Sequence, residues 1–272
     1  MWPSFDTNCN WFNLMFRDCF PNENFNFNST NPDVILASSF GNNRYQYKDS
    51  DTIKIFYTGE NERPDFNFAN YSLTFDKTTD KNFRLPHWFL YVNWWNEPNF
   101  PHARISVDRL YKQWDVEEIW NRKEFCSIII GNPVANRIDV ATQLNKHRPV
   151  HGYGRVFGRY FNGCKIDLLE KYRWNICFEN DIYPGYITEK LLEAKVAGCI
   201  PIYYGDLSVA NDFNDNGFIN YLEYQSKENL FDVIRSIDND KEFFCSIAEQ
   251  PLFNKKPELT ELYHFLRNKI GV

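Results

Sequence analysis

The chain has 272 residues, 43% of them hydrophobic, enough for two small domains or one large one with a real core. Its formal net charge of −6 excludes a protein whose main partner is a nucleic-acid backbone, although a few placed Lys and Arg still suffice for an anionic small ligand. No apolar run approaches the roughly 18 residues of a membrane-spanning helix, so none is expected.

The chain opens on Met1-Trp2-Pro3, which reads as a loop, as if a leading strand were absent or very short. It shows no charged region, apolar stretch or cleavage site of a secretory signal. Strands are expected at 33–37, ending in Ser38-Ser39-Phe40-Gly41, then at 52–58 and at 71–75, each bounded by Gly, Asn or Asp as in a parallel sheet. Residues 85–95 are crowded with rings. These suit a sugar-stacking platform or a packed core, and core packing is the commoner use. The charged, Trp-containing stretch 112–122 reads as the connection between halves.

The second half is more regular. A strand is expected at 125–130, a turn at 131–133, a helix at 135–145 and a strand at 149–154 running into a glycine loop. A helix at 168–172, a strand at 174–178, a helix at 187–196 stopped by Gly198 and a strand at 199–204 follow, with a last amphipathic helix at 258–270. The alternation predicts a doubly wound α/β domain. Asp238-Asn239-Asp240 is expected to be an exposed polar loop. The five His show neither an i,i+4 pair nor HExxH, so no zinc site is indicated. The seven Cys, an odd number with no CxxC pair, predict free thiols in a reducing compartment, with Cys177 and Cys199 as small core residues. A cytoplasmic location, at most peripheral to a membrane, is therefore expected, and the sequons Asn28-Ser29-Thr30 and Asn70-Tyr71-Ser72 are then chance matches.

Three places carry possible chemistry. A strand ends at Phe178, a polar loop follows, and a helix opens near Thr188, so Glu189 and Lys190 fall in its first turn. Helix N-termini beyond the carboxyl ends of parallel strands bind anions. A lysine there is unfavourable to the helix alone, which favours a ligand role, whereas Glu189 suits the helix dipole without one. Arg137 follows the Gly131-Asn132-Pro133 turn, where a guanidinium can clamp a diphosphate, or simply sit on the surface of an amphipathic helix. Glu60, in the run Gly59-Glu60-Asn61-Glu62 just after a strand, is either a general base or part of a solvated acidic turn.

Taken together, FYTGENERPDF (56–66), NPVANRIDVATQLN (132–145), PVHGYGRV (149–156) and NICFENDIYPGYITEKLLEAKVAGCIPIYYGDLSVANDF (175–213) resemble the α1,3/4-fucosyltransferase family in its bacterial-type, soluble branch. The N-terminal WPSF is similar to the family's acceptor-side loop. The resemblance implies an α/β GT-B fold, two Rossmann-like domains facing a central cleft. The expected boundaries are 1–120 for the acceptor side, 121–250 for the donor side and 251–272 for a C-terminal helix. It implies GDP-fucose as donor substrate, an oligosaccharide acceptor, inversion at the anomeric carbon, and no required cofactor, a divalent metal being at most stimulatory. It gives Glu60 the role of general base, and donor binding to Arg137, Asn180, Tyr186, Glu189 and Lys190. Linkage to the 3-hydroxyl is favoured over the 4-hydroxyl. Another nucleotide sugar on the same fold, or an inactive sugar- or nucleotide-binding homologue, are the alternatives.

Overall fold

The structure is a computed structural model that describes residues 9–27, 30–40, 43–48, 50–100, 105–133 and 135–271. The expected opening loop Met1-Trp2-Pro3, the WPSF segment, Asn28, Ser29 and Gly41 lie outside them. In chain order the first elements are α1 (Trp11–Cys19), β1 (Val34–Ser38), β2 (Ile53–Tyr57), β3 (Tyr71–Thr74), β4 (Asn82–Arg84), β5 (Val92–Asn93), β6 (Ile105–Ser106) and α2 (Val107–Leu110). Then come α3 (Val116–Trp120), β7 (Glu124–Ile129), α4 (Ala135–Leu144), β8 (Val150–Tyr153), α5 (Lys165–Leu169), β9 (Tyr172–Phe178), α6 (Glu189–Val196) and β10 (Ile200–Tyr204). The chain ends with α7 (Val209–Asp212), β11 (Ile219–Asn220), α8 (Lys227–Asn239), α9 (Lys241–Ala248) and α10 (Thr260–Ile270).

These elements fall into two compact units. The N-terminal unit holds the described residues up to Val107, the short segment Pro184–Tyr186, and those from Pro257 on; the C-terminal unit holds Asp108–Tyr183 and Ile187–Lys256.

In the N-terminal unit, β1-β2-β3-β4 form a parallel sheet, with Val34 opposite Ile53 and Ile55 opposite Tyr71. Its middle is apolar: Ile55, Phe56 and Tyr57 of β2 and Leu73 of β3 are buried. α1, unforeseen in the sequence reading, starts where the Asn10 side chain accepts the N–H of Asn13 at 3.0 Å. It buries Trp11, Phe12, Met15 and Cys19 in one cluster with Leu262 and Leu266 of α10. The ring-rich stretch 85–95 joins that cluster through Leu85, Phe89, Trp94 and Trp95, while Trp88 is buried as well. Phe89, Trp94 and Trp95 thus pack against the core while remaining partly exposed.

In the C-terminal unit the parallel sheet runs β11-β10-β9-β7-β8. Counted from β7 this is the doubly wound order 2-1-3-4-5, which reverses direction between β7 and β9. Every residue of β9 is buried, as expected for a central strand covered on both faces. Trp174, Ile176, Ile200 and Ile202 pack with Val140 and Leu144 of α4, with Leu230, Ile234 and Ile237 of α8, and with Phe244 and Ile247 of α9.

The structure corrects the reading of the helix at 168–172 and of Asp238. The helix expected at 168–172 lies earlier, at Lys165–Leu169, because Tyr172 pairs with Glu124 and already belongs to β9. Asp238, expected in an exposed loop, is 3% exposed in the last turn of α8. Its carboxylate accepts from Arg173 at 2.8 Å, from Arg148 and His147 at 3.1 Å each, and from Trp174 Nε1 at 3.2 Å. A buried carboxylate persists where this many donors replace water.

Candidate active site

The order of the C-terminal sheet says where a ligand belongs. In open α/β sheets ligands sit beyond the carboxyl ends of the strands at the point where the order reverses, here between β7 and β9. β7 ends at Ile129 and gives way to the turn Gly131-Asn132-Pro133. Arg155, just after β8, holds that turn, donating from Nε to Gly131 O at 3.0 Å and from Nη2 to Asn132 Oδ1 at 2.6 Å.

Arg137 lies in the first turn of α4 and reaches across to β9. Its Nη2 donates to Phe178 O at 2.6 Å and to Asn180 Oδ1 at 2.7 Å. It is 2% exposed, so it is not the surface arginine that its neighbours in sequence would allow. A guanidinium tied at two points has its plane fixed, which suits bidentate recognition of an anion.

The next residue, Glu179, organises the α6 side. It is 1% exposed. Its carboxylate accepts the N–H of Thr188 and the hydroxyl of Thr188, both at 2.7 Å, and the ammonium of Lys190 at 2.9 Å. Lys190 Nζ also donates to Thr188 Oγ1 at 2.7 Å and stands 3.9 Å from Glu189 Oε1. The helix starts at Glu189, two residues later than expected, because Thr188 is extended and Glu179 satisfies the backbone donor there. Beside it, burial and the Glu179 charge push the Tyr203 phenol well above its usual range.

Of the residues singled out in the sequence, Arg137 and Asn180 are in direct contact. Lys190 is bonded to Glu179, the residue between Phe178 and Asn180, and Glu189 stands 3.9 Å from the Lys190 ammonium. Tyr186 belongs to the N-terminal unit, where its ring packs edge-on against Phe75 with centroids 5.2 Å apart and only 3% of the residue exposed. Glu60 is exposed in the turn after β2, its N–H donating to Thr58 Oγ1 at 3.0 Å. Glu179 has no role in the sequence reading, although a carboxylate directly after the apolar run Ile176-Cys177-Phe178 is a signal that it must find partners.

Residues 120–248 match the sequence profile described as glycosyltransferase family 10 (fucosyltransferase) C-term, and residues 1–91 that of the α-(1,3)-fucosyltransferase FucT N-terminal domain. The chain belongs to glycosyltransferase family 10. Within this fucosyltransferase family it is 29% identical over 247 residues to the α-(1,3)-fucosyltransferase FucT of Helicobacter pylori, covering 81% of this chain and 52% of that protein. It is 30% identical over 118 residues to the human 4-galactosyl-N-acetylglucosaminide 3-α-L-fucosyltransferase 9, covering 42% of this chain and 33% of that one. The chain thus spans about half of the first relative and less of the second. A crystal structure of an α1,3-fucosyltransferase superposes with a TM-score of 0.71 at 25% identity, covering 88% of this chain and 78% of that one. One with GDP-fucose gives 0.68 at 22% identity, covering 95% and 97%. The fold is the α/β GT-B fold of this family. Among the described residues no helix is long and apolar enough to cross a membrane.

Proposed function

We propose that this family 10 member transfers fucose from GDP-fucose, with inversion, to a hydroxyl of an N-acetylglucosamine-type residue in a glycan, the 3-hydroxyl being favoured over the 4-hydroxyl. The observation that carries this is the pair of cations, Arg137 and Lys190, tied to the consecutive residues Phe178, Glu179 and Asn180 at the sheet's reversal point. Two cations and a helix start so placed suit a nucleoside diphosphate. The human relative's own name, a 3-fucosyltransferase of 4-galactosyl-N-acetylglucosaminide, supports the acceptor class.

The proposed chemistry is one displacement. The acceptor oxygen forms a bond to the fucose anomeric carbon while the bond from that carbon to the β-phosphate oxygen breaks. Negative charge gathers on GDP, where Arg137, Lys190 and the backbone N–H groups opening α6 stabilise it. Asn180 orients Arg137 and lines the donor pocket. Glu189 and Tyr186 complete donor recognition. Glu60 takes the acceptor's proton. These groups supply the positive charge that the leaving diphosphate needs, so no cofactor is required and a divalent metal is at most stimulatory.

The test is a donor panel read by nucleotide release, with N-acetyllactosamine as acceptor, followed by linkage analysis of the product. Release from GDP-fucose and a new α1,3 bond are expected; no release from GDP-fucose sinks the proposal. Glu60→Ala is expected to lower transfer about 100- to 10,000-fold while GDP-fucose still binds, the range typical of a lost general base. Unchanged transfer in that variant removes Glu60 from the role. Binding of GDP without turnover of any donor by the native chain identifies an inactive homologue.

A further inference from the structure

Glu60 projects from a turn, and an exposed carboxylate on a turn has no fixed direction of its own. The turn is held from two sides. On one side Thr58, 2% exposed, has its hydroxyl 3.1 Å from Ser39 Oγ and accepts the Glu60 N–H at 3.0 Å. On the other side stands His87, which opens the short helical turn His87–Tyr91 after β4. A Cβ built on Gly59 would lie 2.2 Å from His87 Nδ1 and 2.5 Å from Cε1, so the imidazole occupies the place of the side chain that Gly59 lacks. The same Nδ1 is 2.8 Å from the hydroxyl of Tyr57, the last residue of β2. Tyr57 is 1% exposed, with its ring edge-on to Phe12 at 4.8 Å. The ring of Tyr91 meets His87 edge-on at 5.3 Å.

The geometry points to His87 as a positioning residue for Glu60: moored to Tyr57 and wedged against Gly59, it sets the direction in which the Glu60 carboxylate leaves the β2 edge. His87 acts through the backbone and touches no reacting atom. The role rests on Glu60 being the general base. A base works only within hydrogen-bond reach of its proton, and a displacement of about 1 Å can cost about 100-fold.

Steady-state kinetics with GDP-fucose and N-acetyllactosamine test the wedge, with thermal unfolding as the control for folding. His87→Ala is expected to lower kcat about 10- to 100-fold while the donor KM stays within about threefold. His87→Asn, whose side-chain amide can both donate and accept and so keeps the hydrogen bond to Tyr57, recovers most of that loss. Gly59→Ala displaces the ring and costs as much as His87→Ala, and the double variant is no worse than the poorer single one, because both changes remove the same wedge. The wedge is overturned by a His87→Ala kcat within about twofold of native, by a His87→Asn variant as impaired as His87→Ala, or by losses that multiply in the double variant. Should His87→Ala fail to fold, Tyr57→Phe, which removes only the hydroxyl, decides: a lower kcat at unchanged donor KM supports the mooring, and a native kcat overturns it. Glu60→Gln is the separate arm. If it keeps full transfer, the base assignment falls and the positioning role with it; if it is inactive while His87→Ala is native-like, the wedge alone falls.

Discussion

Glu179 takes three donors on two oxygens, the N–H and hydroxyl of Thr188 and the ammonium of Lys190. Removing it leaves a cation and an opened helix start around an empty volume. Breaking a buried ion pair from one side costs about 3–5 kcal/mol, and the partial exposure of Lys190 lowers that here. Glu179→Ala is therefore expected to destabilise the chain by about 2–3 kcal/mol in chemical denaturation, and Glu179→Gln by less, since an amide still accepts from Thr188. A loss below about 0.5 kcal/mol for the alanine variant would show that the pair contributes little. This is also where the sequence was half legible. Lys190 stood out as unfavourable to a helix N-terminus, and that mismatch alone suggested an anionic ligand. The structure resolves much of the mismatch with a carboxylate eleven residues earlier, across a loop whose path no local pattern reveals. Arg137 shows the reverse. Read by its neighbours alone it is a surface residue, and only its reach from α4 to Phe178 and Asn180 shows it built into the sheet edge.

At the scale of elements, α6 carries a second lysine with a purely internal role. Lys195 is buried and donates to Ile247 O and Ala248 O at 3.2 and 3.1 Å, closing the C-terminal end of α9. Burial holds its pKa down at about 8, against an ordinary 10.5. Below pH 8 both folded and unfolded chains carry the charge, and the cost of burying it is fully present. Between pH 8 and 10.5 the folded chain sheds the proton while the unfolded chain keeps it, so this residue's contribution to stability rises with pH. Comparison with Lys195→Met isolates the effect: the stability of the native chain relative to the variant is expected to rise by about 3 kcal/mol from pH 7 to above 10.5. A difference that stays flat over that range contradicts a depressed lysine. The strands were the most legible elements, since each is a short apolar run between turn residues. α8 has no counterpart among the expected helices although it follows the rule for them: Ser226 caps it and Leu230, Ile234 and Ile237 form its buried stripe. The Asp-Asn-Asp run at its end reads as a turn locally, and the four donors that let Asp238 be buried come from β9 and from the segment after α4.

Across the whole chain, alternating strand and helix patterns announce a doubly wound domain, but they do not say which strands are neighbours. That order is decided by which face each crossover covers, and the ligand position follows from it, because the 2-1-3-4-5 order brings the turn after β7 next to the end of β9. The cysteines are the simplest whole-molecule property to test, since their count and spacing pointed to thiols rather than bridges. Cys19, Cys126, Cys177 and Cys199 are buried free thiols, two of them in the core strands. Burial raises Cys19 to about 11 and Cys199 to about 12, and puts Cys126 and Cys177 well above the ordinary thiol range. Only the thiolate attacks, so these groups are protected twice, by packing and by protonation. In the native chain at pH 8 a thiol-reactive disulfide reagent is expected to leave all four unmodified while it labels the half-buried Cys9, Cys164 and Cys245, and to reach the four only on unfolding. Added reductant is expected to leave the unfolding midpoint unchanged. A midpoint that falls with reductant would mean that a disulfide contributes to stability, and rapid native labelling of Cys126 or Cys177 would mean that the central sheet of the C-terminal unit opens locally far more readily than its packing implies.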